Sequence, residues 1–178
     1  MIRNDLLYVK TVDGIEYYNF KPTIGKWYYK NYPGYTKHSL SHNIRMFIEY
    51  LEGGYEIFYM VRAGEVGGIL GYLLVARGGR RLKCSSIDDI VLGPIWVKPD
   101  LRKQGIASKG ISAVLHNLDI TYRYAYEYIQ PTNISSIRTV EKNHFDLYGS
   151  GSSKGLLKRI ENDGSKEFLI YRYSSKDI

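Results

Sequence analysis

Residues 95–110 read IWVKPDLRKQGIASKG: an extended apolar run closes at Val97, Pro99 interrupts it, and Gly105 opens a segment whose first residues are small. Beyond it Ala107, Ile111, Val114, Leu115 and Leu118 fall on one face at steps of four, three, one and three, which is helical spacing. The chain must therefore fold so that a strand feeds a helix within a few residues. Such a junction also makes an anion site. The first turn of a helix carries unpaired N–H groups and the positive end of the macrodipole, and small residues let a phosphate approach them. Arg102 and Lys103 add full charges beside it.

Familiar motifs do not account for this junction. Gly105 and Gly110 have the Walker A separation, but Ile111 stands where lysine is required. Gly149 and Gly151 are followed by Lys154, not by the third glycine of a dinucleotide fingerprint, and no strand-to-helix junction lies there. Gly151-Ser152-Ser153-Lys154-Gly155 matches a hydrolase nucleophile elbow in letters alone, because no histidine follows Ser153.

The rest of the chain supplies strands and two further helices. DLLYVKTV (5–12) and IEYYNF (15–20) flank Asp13-Gly14, a dipeptide suited to a tight turn. A Tyr-rich irregular stretch leads to a helix capped at Ser39 or Ser41, carrying Ile44, Phe47, Ile48 and Leu51 and stopped at Gly53-Gly54. YEIFYMVR and GGILGYLLVAR, separated by AGEVG, predict a hairpin. SSIDDIVLGPIWVKP predicts a long strand, bulged or splayed where Gly93 precedes Pro94, since proline donates no ladder bond. YRYAYEYIQP reads as strand, NISSIRTVEKNHF as a helix with Asn133 at its N-cap, and EFLIYRY as a closing strand, while GSGSSKG (149–155) reads as low complexity. Hairpins mixed with strand-helix-strand units indicate an α/β (mixed α+β) fold. One domain over residues 1–178 is expected, and with 44% hydrophobic residues it can bury a core without metal or disulfide support.

Arg102-Lys103-Gln104-Gly105-Ile106-Ala107, behind Val97-Lys98-Pro99, resembles motif A of the GNAT N-acetyltransferase superfamily, R/Q-x-x-G-x-G/A. Asn133-Ile134-Ser135-Ser136 and Glu141-Lys142-Asn143-His144-Phe145 resemble the N-x-x-S and E-K-x-G-F elements of that family's second conserved helix, in the same order. The likeness spans residues 87–148 in motif and the whole chain in element order. It implies a GNAT-like splayed, mostly antiparallel central sheet flanked by helices, in which the strand at 87–97 parts from that at 122–131 and leaves a V-shaped slot for acetyl-CoA. It further implies that the amides of Lys103, Gln104, Gly105, Ile106, Ala107 and Ser108, beside Arg102, hold the pyrophosphate. Backbone groups of Ile95, Trp96 and Val97 would pair with the pantetheine arm, and Asn133 would touch the cofactor farther along.

The implied reaction is direct attack of a primary amine on the thioester carbonyl, with a backbone N–H near Val97 stabilising the developing charge. A lysine-like amine, with its usual pKa of ~10.4, is mostly protonated at neutral pH and needs a base or a water chain to one. Asp89 and Glu127 are the carboxylates on the two splaying strands, with Glu127 the preferred choice. Where many relatives carry a tyrosine before the Glu-Lys pair this chain has Val140, so Ser136 becomes the candidate acid; the alternative is that it caps or solvates the helix start. His144 replaces the family glycine and reads as an exposed residue at the helix end.

Lys and Arg number 25 against 18 acidic residues, a net charge of +7 that favours an anionic partner. The local density at Arg77, Arg80, Arg81 and Lys83 hints at a phosphorylated or nucleotide-linked acceptor, against the plainer reading of a solvated loop. Nucleic acid is not expected, because neither a basic stripe nor a recognition motif is present. Cys84 is alone and reads as non-catalytic, and His38, His42, His116 and His144 lack metal spacing, so no metal is expected. With no leader pattern and no long apolar run, the expected location is cytoplasmic, with no membrane partner. The acceptor is a small amine, an amino sugar or a protein amine, built around by the segments at 26–42 and 77–86, and a homodimer is allowed. The alternative is a non-catalytic acyl-CoA-binding or sensing module with the same fold.

Overall fold

Asp13 and Gly14, at φ 50° and 74°, reverse the chain between β1 (Leu7–Val12) and β2 (Ile15–Phe20), the tight turn that this dipeptide favours. The computed structural model describes residues 6–25, 40–52, 54–64, 68–155 and 157–175, without the side chains of 40–43 and 45. The Tyr-rich segment at 26–39 with His38 and the cap candidate Ser39, the stop at Gly53, and the turn at 65–67 lie outside the described residues. So does the side chain of His42.

Helix α1 (Leu40–Leu51) is followed by β3 (Tyr55–Arg62), β4 (Ile69–Arg77) and β5 (Ile90–Val97). A 3-10 turn (Pro99–Leu101), α2 (Ile106–His116), β6 (Tyr124–Ile129), α3 (Ile134–Lys142), β7 (Asp146–Lys154), β8 (Arg159–Glu161) and β9 (Phe168–Ser174) complete the order. The nine strands form one sheet ordered β1-β2-β3-β4-β5-β6-β9-β7-β8. Among the described residues the strand pairs are antiparallel except β5–β6.

Period-two alternation divides the sheet into two faces. Leu73, Val75, Ile90, Leu92, Ala125 and Ile129 pack with Ile111, Val114 and Val140 of α2 and α3. Helix α2 approaches closely because Gly110 carries no side chain; a Cβ there would meet Met60 Sδ at 2.8 Å. The opposite face holds Leu74 and Ala76 with Met46 of α1, and continues across Val91 and Tyr126 to Leu82, Ile160 and Ile170. Tyr72 and Trp96 stack on it, ring centroids 5.7 Å apart.

Three expectations are corrected. In α1, Ile44 and Leu51 are exposed, and the buried positions are Met46 and Glu49. On that face Met46 packs in an apolar cluster and Glu49 pairs with the largely buried Arg81, a partner that periodicity does not reveal. The strand read from residue 85 begins only at Ile90, because the preceding residues wrap around the carboxylate of Asp89. The stretch read as low complexity belongs to β7. Its glycines allow close approach: a Cβ on Gly151 would collide with the Glu161 carbonyl, and one on Gly149 with the Asn162 side chain.

Candidate active site

Strands β5 and β6 are in register only at Ile90↔Ala125 and Val91↔Tyr126. Beyond these pairs β5 stays with β4, through Leu73↔Ile95, Tyr72↔Trp96 and Gly71↔Val97, while β6 stays with β9. The two strands therefore fork. The β4–β5 register slips where Gly93 and Pro94 oppose Leu74, so the expected bulge sits at the crotch of the fork. Along a strand, successive residues point their backbone groups to alternate edges. With β4 on one side, alternate groups over 92–97 are turned toward the opening.

The chain leaves Val97 through the 3-10 turn and enters α2 by two left-handed residues, Lys103 at φ 64° and Gly105 at φ 78°. Gly105 is the N-cap and has no side chain to satisfy the first-turn amides of Ile106, Ala107 and Ser108. Left-handed and right-handed residues in alternation turn successive N–H groups toward one concavity, which is an anion nest. A Cβ at Gly105 would meet nothing within 4 Å, so the approach to these amides is open on the protein side. Arg102 folds back, its Nε donating to the Val97 carbonyl at 3.2 Å, and Gln104 Nε2 donates to Asp100 O at 3.4 Å. Ser108 Oγ accepts from Asn143 Nδ2 at 2.9 Å, and the same amide group donates to Thr139 O at 2.8 Å, tying the first turn of α2 to the end of α3.

Asn133 caps α3: its Oδ1 accepts from the Ser136 N–H at 3.2 Å. The cap uses the backbone of Ser136, and its hydroxyl has no protein partner among the described residues. At the other end of α3, His144 is exposed at φ 61°. That left-handed position explains why a glycine suits it elsewhere. Val140 is fully buried in the core below.

The two carboxylates differ sharply. Asp89 is fully buried just before β5 and accepts from Ser86 N at 2.7 Å, Ser86 Oγ at 3.1 Å, Tyr124 N at 3.2 Å and Arg123 Nε at 3.3 Å. It stitches the β4–β5 loop to the start of β6. Glu127 is the first residue of β6 past the fork, buried on the α2 and α3 face, and its Oε2 has no hydrogen-bond partner among the described residues. Burial pushes its carboxyl from the ordinary 4.5 up to about 8.

The basic residues at 77–83 have partners within the chain, and Arg77, Arg80 and Lys83 are exposed while Arg81 is largely buried. Arg77 donates to Thr121 O at 2.9 Å, Arg80 pairs with Glu52 at 3.5 Å, and Lys83 pairs with Glu161. Arg81 grips Glu49 of α1 and also donates to Gly93 O. All four side chains have a partner within the chain, and only Arg81 is held in a largely buried pair. The Arg81–Glu49 pair was not legible, because the two residues are 32 apart in sequence and no motif joins them. Cys84 is half-buried and burial pushes its thiol up, the opposite of an activated nucleophile. Among the described residues no three His, Cys, Asp or Glu side chains gather as metal ligands, and no helix is long and apolar enough to cross a membrane.

The family model for the acetyltransferase (GNAT) family matches residues 22–145. The fold is similar to RimL, a ribosomal alpha-N-protein acetyltransferase in its apo form, with TM-score 0.60 and 13% identity over 95% of this chain and 94% of that one. It is similar to an N-acetyltransferase from Staphylococcus aureus Mu50, with TM-score 0.55 and 20% identity over 79% and 80%. A ribosomal-protein-alanine N-acetyltransferase from Brucella melitensis gives TM-score 0.53 and 16% identity over 78% and 80%. At these identities the likeness is one of fold. No curated protein sequence matches.

Proposed function

The chain belongs to the acetyltransferase (GNAT) family, and from that premise we propose that it moves the acetyl group of acetyl-CoA to a primary amine of a small molecule, amino sugar or protein. The observation that carries this reading is the fork between β5 and β6 with the nest of α2 amides at its mouth. One feature fits the cofactor, the side-chain-free cradle at Gly105 before the first-turn amides of α2. Acetyl-CoA supplies an acetyl group activated as a thioester.

The amides of residues 103–108 hold the pyrophosphate, with Arg102 and Lys103 adding charge. Ile95, Trp96 and Val97 would present backbone groups to the pantetheine arm, and an N–H of this stretch would stabilise charge developing on the thioester oxygen. Asn133 and Ser136 flank the cofactor from the start of α3. Glu127 is assigned as the base that takes the proton of the amine at Oε2. Asp89 is not retained for that role, because four donors already occupy its carboxylate. Ser136 Oγ is assigned to hold the proton destined for the departing sulfur.

The test is calorimetric titration with acetyl-CoA, CoA and ATP, followed by CoA release with a panel of amines. Saturable binding selective for the CoA compounds and amine-dependent release are expected. Absence of selective binding overturns the reading. Tight binding with no release across a broad panel would mark an acyl-CoA-binding module, the reading that Val140 in place of the family tyrosine favours.

A further inference from the structure

Arg81, in the loop between β4 and β5, reaches two parts of the chain at once. Its Nε and Nη2 grip the Glu49 carboxylate of α1, the latter at 2.8 Å, and its Nη1 donates to the Gly93 carbonyl at 2.7 Å. Both side chains of the pair are largely buried, 16% and 9% exposed. Gly93 is the bulge residue at the crotch of the fork, at φ 101°, and Pro94 after it has no N–H to give to a ladder. At this point β6 has already turned away from β5. The carbonyl at the bulge is therefore held by a side chain where a neighbouring strand would otherwise hold it.

We propose that Arg81 is a positioning residue for the acyl group: by anchoring the Gly93 carbonyl it sets the direction of the β5 peptide units that face the fork. A carbonyl and the nitrogen after it share one peptide plane, so fixing the oxygen fixes how the chain enters Pro94 and Ile95. A charge-assisted bond from a planar guanidinium, itself clamped by two contacts to Glu49, fixes that direction more firmly than a neutral donor would. The N–H groups that would polarise a thioester carbonyl belong to this stretch. The inference deepens the acetyl-transfer reading and rests on it.

The experiment reads acetyl-CoA affinity by calorimetry and, separately, the infrared carbonyl stretch of bound acetyl-CoA labelled with carbon-13 in the thioester carbonyl. In the unaltered protein the bound band is expected below its position in water. Replacing both partners, Glu49→Met with Arg81→Met, leaves no lone buried charge and is expected to fold. Affinity should stay within about threefold, since the pyrophosphate site is elsewhere, while the band returns toward its position in water. If the double variant does not fold, Arg81→Lys, which keeps the charge beside Glu49 without the planar fork, is read in the same way. Glu49→Gln, which leaves the Arg81–Gly93 contact available, should keep the shifted band.

A folded variant with the unaltered band overturns the proposal. So does a folded variant that loses affinity in parallel with the band, which would make Arg81 a general support of the fold. Binding by the unaltered protein without any band shift also overturns it, and leaves the acetyl-transfer reading standing. Failure of the unaltered protein to bind acetyl-CoA takes down that reading and this inference together.

Discussion

Val91 and Tyr126 are the last residues at which β5 and β6 stand in register. One step later Leu92 is paired with Val75 of β4, and Glu127 with Tyr171 of β9. The slot is thus made by two strands that keep their outer partners and lose each other. This places a carboxyl, Glu127, immediately past the point of separation.

Gly105→Val should weaken acetyl-CoA binding at least tenfold. The added Cβ meets no atom of the described residues within 4 Å, and the side chain stands in the open approach to the α2 amides. A left-handed residue with a Cβ also costs about 1–2 kcal/mol, so a modest fall in Tm accompanies it. Calorimetry that finds unchanged affinity places the pyrophosphate elsewhere.

The stability of the protein should decline as pH rises from near 4.5 to about 8, through the contribution of Glu127. In that window the native carboxyl keeps a proton that the unfolded one has lost, so the native state binds more protons and loses ground with rising pH. The interval corresponds to on the order of 5 kcal/mol at most. Glu127→Gln removes this decline, which denaturant titrations at pH 5 and pH 8 would read. As the base, Glu127 also predicts that kcat/KM of the unaltered enzyme rises with pH toward a plateau above about 8. The glutamine variant should lie roughly a hundredfold lower.

Asp89→Asn should act on stability. The substitution removes a buried charge that four donors address and presents an amide hydrogen to some of them, at a cost of about 3 kcal/mol. The midpoint of denaturation should fall while turnover per folded molecule is kept. A variant with unaltered midpoint and lost turnover would return Asp89 to the chemistry.

Ser136→Ala keeps the N–H that Asn133 caps, so helix α3 is not weakened. If the hydroxyl protonates the departing sulfur, kcat drops about tenfold while acetyl-CoA affinity changes by less than about twofold, the signature of a contact made only in the transition state. Equal turnover would leave Ser136 a structural residue.

Gly151→Ala should destabilise by about 1–3 kcal/mol, because the new methyl collides with the Glu161 carbonyl across the β7–β8 pair. The pair is remote from the fork in strand order. Thermal denaturation should shift downward with acetyl-CoA affinity intact. An unshifted Tm would show that β8 can move aside.

The local elements follow from the sequence because their causes are local. Asp13-Gly14 specifies a turn, Asn133 a cap, Gly105 a helix start behind a strand, and Gly93-Pro94 an interruption of the ladder, each through its own backbone chemistry. The family motif adds the expectation of a fork, since its residues are contiguous around the junction. What lay beyond reach depends on pairs distant along the chain. The glycines of β7 read as low complexity until Glu161 and Asn162 lie against them. The sequence preferred Glu127 to Asp89 without access to their surroundings: the donors that converge on Asp89 and the apolar packing that encloses Glu127 come from distant parts of the chain. The basic residues at 77–83 read as a solvated loop or a ligand surface, and their partners Glu49, Glu52 and Glu161 are brought to them from distant parts of the chain. Backbone conformation and helical periodicity are set by neighbours within a few residues, so the sequence alone determines them. Protonation, ion pairing and the accessibility of a side chain are set by whatever the fold packs beside it, and only the tertiary structure decides that.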